Sequence, residues 1–156
     1  MANPPIQGID NIGICVADLA RSVQFYRHLG FEVLFESDRG VTVALGQAKL
    51  FLFPAQPGDE RTAGRHLGLS GNPPGIDHIS FLVDDVDALH ASLAANGVDA
   101  GPQPADQDWG ARAFGLIDPD GNNLYFLRWL LPGASRPGEN HRARRTTKSA
   151  LPSRRT

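Results

Sequence analysis

A chain of 156 residues, 41% hydrophobic and 21% charged, has the size and composition of one compact globular domain, or of two small modules sharing a core. No apolar run approaches the roughly 20 residues that span a bilayer, and Met1–Gln7 lacks the basic-then-apolar pattern of a secretory signal. A single cysteine excludes an internal disulfide and a cysteine-based zinc cluster, so a cytoplasmic location is expected. The net charge of −2 is uneven: from 132 to 156 seven basic residues meet one acid, which gives that stretch +6 and leaves −8 on residues 1–131.

The first predicted element, Ile9 to Val16, is apolar and rich in β-branched residues, which reads as a strand. Within it Cys15 is expected to be a buried packing residue. Asp18 then caps a helix carried by Leu19, Val23, Phe25, Tyr26 and Leu29, and Gly30 supplies the left-handed stop. Three strands follow, at Phe31–Glu36, Gly40–Leu45 and Lys49–Phe53, with Gly46-Gln47 as a tight turn.

The same order recurs 67 residues later, where Ile9-Asp10-Asn11-Ile12 lines up with Ile76-Asp77-His78-Ile79, Asp18 with Asp85 and Gly30 with Gly97. A strand over Ile76–Val83 precedes a helix carried by Val86, Leu89, Leu93 and Ala94 and closed at Asn96-Gly97. A short strand starts at Val98, and two more cover Ala111–Ile117 and Asn123–Leu130, joined by the turn Asp118-Pro119-Asp120-Gly121. The predicted organisation is therefore a βαβββ module over 8–54, a Gly/Pro-rich linker over 55–75, a second module over 76–131 and a disordered basic tail over 132–156. The fold class is α+β, two βαβββ modules forming an open, cupped mixed sheet. A concave, mostly apolar wall of this kind favours a small-molecule ligand. Nucleic acid and membrane are not expected as partners.

The Val16-x-Asp18-Leu19 turn, the run from Ser22 to Phe31 (SVQFYRHLGF) and the DPDGN segment Asp118–Asn122 resemble the vicinal oxygen chelate superfamily, which includes glyoxalase I, extradiol dioxygenases and bleomycin-resistance proteins. The resemblance covers roughly residues 8 to 131. It implies four metal-ligand positions, which fall here on Asn11, Phe51, His78 and Tyr125. Only His78 keeps a usual ligand type. Phe51 donates nothing, Asn11 offers a neutral carbonyl, and Tyr125 would have to lose a proton of pKa near 10. A catalytic metal commonly needs three protein donors, so no metal and no cofactor are expected.

The same four residues are then read as ligand contacts in the cup, with His78 open to a second reading as a core histidine or a proton carrier. Asp106-Gln107-Asp108-Trp109-Gly110-Ala111-Arg112, followed by Phe114, resembles the region of bleomycin-resistance-like proteins where an aromatic stacks on a planar drug. It makes Trp109 and Phe114 further candidates, while Arg112 is expected to pair with an acid. The leading expectation is a metal-free, homodimeric binding protein for a planar or cationic compound, of antibiotic-resistance type. The alternative is a glyoxalase- or lyase-like enzyme using His78 or a non-standard metal site. No phosphate loop, nucleophile elbow or CxxC motif is present.

Overall fold

The computed structural model describes residues 8–58, 66–68 and 71–130. The first module comprises β1 (Ile12–Val16), α1 (Leu19–His28), β2 (Glu32–Ser37), β3 (Gly40–Leu45) and β4 (Ala48–Pro54). The second comprises β5 (His78–Leu82), α2 (Val86–Ala95), β6 (Ala105–Asp106), β7 (Ala111–Ile117) and β8 (Asn123–Trp129). Each module forms an open mixed sheet of four strands, ordered β1-β4-β3-β2 and β5-β8-β7-β6. First and last strands pair in parallel and the rest antiparallel. The registers repeat as the sequence does. Ile12 lies opposite Leu50 and Ile79 opposite Leu124, which makes Phe51 and Tyr125 equivalent positions.

Both helices start where the sequence places their caps. The Asp18 carboxylate accepts from the Arg21 amide at 3.0 Å, and Asp85 accepts from Ala88 at 2.9 Å. These bonds satisfy amides that the first helical turn leaves without partners. Alternation along the strands then divides each sheet into two faces. Ile14, Val16, Leu50, Leu52, Leu116, Leu124 and Phe126 face the helices and join one core with Tyr26, Phe31, Val86 and Leu93. The same alternation corrects the expectation for Cys15. With Ile14 and Val16 turned to the core, Cys15 falls on the opposite face and is exposed.

A second correction concerns β6. No strand forms at Val98, and the short edge strand lies at Ala105–Asp106 instead. Pro102 and Pro104 lack the amide a ladder needs. Gly101 also adopts φ 67° and passes so close to the Gly115 carbonyl that a Cβ would sit 2.4 Å from its oxygen. The basic tail lies outside the described residues.

Among the described residues, the hydrogen bonds and ring contacts that join the modules lie on the helix side. Phe31 meets Phe81 edge-on at 5.6 Å. The turn between β7 and β8 reaches across to α1. Asp118 accepts from the Tyr26 hydroxyl at 2.8 Å, and Asp120 accepts from Ser22 Oγ and the Ala17 amide, each at 2.8 Å. Both carboxylates are buried, yet each is met by several donors, as buried charges must be. Burial, then the neighbouring carboxylates, hold the Tyr26 phenol protonated far above its ordinary range. The DPDGN segment is thus a turn and also a clasp between modules.

Candidate functional site

The face of the second sheet that points away from α2 carries His78 and Ser80 from β5, Gly115 from β7, and Asn123 and Tyr125 from β8. His78 and Asn123 are register partners, and the His78 ring lies edge-on to Tyr125 with centroids 4.8 Å apart. Asp77, one residue before β5, sets the imidazole: its Oδ2 lies 2.8 Å from His78 Nδ1. A carboxylate there makes Nδ1 the protonated nitrogen and leaves the Nε2 lone pair to act as acceptor or base. Sequence reasoning missed Asp77 as a partner, although Asp77-His78 is adjacent in the chain and repeats Asp10-Asn11.

A short strap lies on this face. Tyr125 Oη accepts from the Gly68 amide at 2.9 Å, and Asn123 Nδ2 donates to the His66 carbonyl at 2.8 Å. Leu67 rests beside Gly115, where an added Cβ would be 3.0 Å from both Leu67 Cδ2 and the Tyr125 ring. Asn72 holds the strap from behind, bonding the His66 amide, the His66 and Gly68 carbonyls, and Asp77 Oδ1. One small network therefore links the strap, Asp77, His78 and Tyr125.

The other sequence candidates are not brought to this group of residues. Phe51 sits on the corresponding face of the first sheet, half-buried and stacked on Phe53 at 5.7 Å. Asn11 is exposed just before β1, where its amide donates to Asp10, itself paired with Lys49. Trp109 is 44% exposed and meets Trp129 edge-on at 5.6 Å. Trp129 shares the open face with Tyr125 four residues along β8, which places the tryptophan pair about 13 Å away at the far end of the strand. Phe114 is displaced from the cup. It lies on the helix-facing side, 4% exposed, stacked on Phe126 at 5.1 Å and edge-on to His90 at 5.0 Å. Its parity decides this, because Gly115 and not Phe114 opposes Tyr125. Arg112 pairs as expected, with Asp87 and Asp106.

A metal does not fit this donor set. Among the described residues no three His, Cys, Asp or Glu side chains cluster to hold one. At the four positions implied by the resemblance, Phe51 has no donor atom, Asn11 is turned to Asp10, and the Tyr125 oxygen already takes an amide proton. His78 alone would have to hold the ion.

The comparisons agree with the fold. Residues 8–126 match the model of the Glyoxalase/Bleomycin resistance protein/Dioxygenase superfamily. Among solved structures, the protein designated SMU.1112c is 25% identical with a TM-score of 0.64, covering 79% of this chain and 99% of its own. A glyoxalase family protein from Enterococcus faecalis is 24% identical with a TM-score of 0.65, over 78% and 98% of the two chains. The lactoylglutathione lyase from Agrobacterium tumefaciens is 24% identical with a TM-score of 0.57, over 80% and 95%. No curated protein matches the sequence significantly. The chain belongs to the glyoxalase/bleomycin resistance protein/dioxygenase superfamily.

Proposed function

From that membership we propose that the protein binds a small molecule without a metal, on the open face of the second sheet around His78 and Tyr125. The observation that carries the reading is the donor set: a carboxylate-oriented imidazole and a phenol, with an aliphatic and aromatic surround and, among the described residues, no cluster of three metal-ligating side chains. Such a site suits hydrogen-bonded recognition of an organic ligand better than capture of an ion. The finer reading, a bleomycin-resistance-like protein that sequesters a planar or cationic drug, draws on the exposed Trp109 beside Trp129. A cytoplasmic location belongs to the same proposal and suits the exposed, unpaired thiol of Cys15.

A homodimer is part of the reading. The edge strand β2 presents Val33, Leu34 and Phe35 at 43%, 62% and 61% exposure, an apolar row that a second copy would cover.

The test is a titration of metal-stripped protein with planar cationic compounds, followed at the His78 ring by NMR. Saturable shifts at His78 support binding at this face, and their absence across the panel refutes the planar-cation reading. The Asp77–His78 pair favours one alternative, an acid–base enzyme of glyoxalase or lyase type working through Nε2. That alternative requires turnover of a candidate substrate that falls with His78→Gln.

A further inference from the structure

Asn123 is 1% exposed, and its Oδ1 is the buried side-chain oxygen or nitrogen without a hydrogen-bond partner among the described residues. Its Nδ2 is engaged by the His66 carbonyl. Turning the amide over would set two oxygens against each other, so the arrangement is fixed by its neighbour. The strap thus satisfies half of this side chain. The reason is covalent: the His66–Leu67 peptide is trans, so its N–H points away from the side on which its carbonyl meets Asn123. A buried acceptor left in this way is a costly feature that a ligand can relieve.

Residues 66–68 present to the sheet what a ligand would present: a carbonyl to Asn123, an isobutyl group to Gly115 and an amide proton to Tyr125. We propose that this strap is an internal stand-in for the ligand, and that the true occupant carries a cis amide edge, a primary carboxamide or a lactam, beside a small branched apolar group. A cis amide places its carbonyl against Asn123 Nδ2 and its N–H against Oδ1 together, completing the pair that the strap leaves half made. The apolar group takes the place of Leu67. Displacing the strap also frees Asn72 from His66 and Gly68, and so reaches Asp77 and His78 through the Asn72–Asp77 bond of 2.7 Å. The inference rests on the binding site proposed above and names its ligand class.

The experiment is an NMR titration with two fragments, 4-methylpentanamide and its N-methyl derivative, which is trans and cannot bond both Asn123 atoms. It uses the wild-type chain, Leu67→Ala, which removes the filling group, and Asn72→Ala, which removes the side chain that holds the His66 and Gly68 carbonyls. Expected are saturable shifts of the Asn123 side-chain amide and the His78 ring with the primary amide. Its affinity should be about ten-fold tighter than that of the N-methyl compound, and about ten-fold tighter in either variant than in the wild type. Equal affinity for the two amides, or equal affinity in all three proteins, overturns the inference. If planar cations shift His78 while neither amide does, this inference falls and the binding site stands. If nothing shifts His78 in any of the three proteins, both fall.

Discussion

Tyr26→Phe isolates the clasp between the modules. The substitution keeps a ring that meets Phe25 at 5.2 Å and Phe31 at 5.6 Å, both edge-on, and deletes only the hydroxyl that donates to Asp118. Asp118 Oδ2 keeps the Asn122 Nδ2 bond at 2.9 Å, and Oδ1 keeps the backbone amides of Asp120 and Asn122. The carboxylate is therefore weakened rather than orphaned. One hydrogen bond to a charged acceptor contributes about 1.5–3 kcal/mol, so a loss of about 2 kcal/mol is expected. For a domain of this size that corresponds to a fall in Tm of about 8 °C and in the urea midpoint of about 1 M, with the slope unchanged. Urea unfolding followed by tryptophan fluorescence and by circular dichroism measures it, and coincident curves establish a single transition. A loss below about 0.5 kcal/mol would show that the bond contributes nothing to joining the modules.

Other consequences can be checked more briefly. Gly115→Ala should cost about 1–2 kcal/mol, because the Tyr125 ring must give way. It should also speed exchange of the Gly68 amide, since Leu67 is pushed from its seat; unchanged exchange would count against the strap's contact. The Arg112 hydrogen bonds hold the Asp87 carboxyl below its ordinary value, against a smaller opposing effect of burial. The stabilisation this pair provides is present above the ordinary carboxylate range and lost as pH falls through the depressed value. Arg112→Gln should raise the Asp87 midpoint in a carbon-detected titration, and an unmoved midpoint refutes the pairing. Phe35→Glu should shift a sedimenting dimer to monomer at micromolar concentration, and wild-type protein that sediments as a monomer would end that part of the proposal.

Much of the fold was legible because each local signal agreed with the global one. Asp18 and Asp85 cap the helices they were expected to cap, and the bounds of β3 and β7 coincide with their predicted ones. What escaped depends on pairing rather than on local pattern. Phe114 looks like a cup residue beside Trp109, yet the five-residue turn from Asp118 to Asn122 sets the register that turns it to the core. Cys15 is one residue from two core positions, and period-two alternation sends it to the other face. The Asp118–Asn122 turn was readable as a turn, but its carboxylates meet α1 across about 100 residues of chain, a distance no local pattern encodes. The strap escaped for a similar reason: a Gly/Pro-rich linker carries no periodicity to say where it will lie. Asp77 beside His78 was in view throughout, and only side-chain geometry shows that it orients the ring.

Elemental analysis of protein purified without chelator, run beside the His78-detected titration before and after EDTA, addresses the account most directly. The donor set predicts far less than one equivalent of any transition metal and ligand affinity indifferent to EDTA. One tightly held nickel, zinc or iron ion per chain, with binding abolished on its removal, would contradict it.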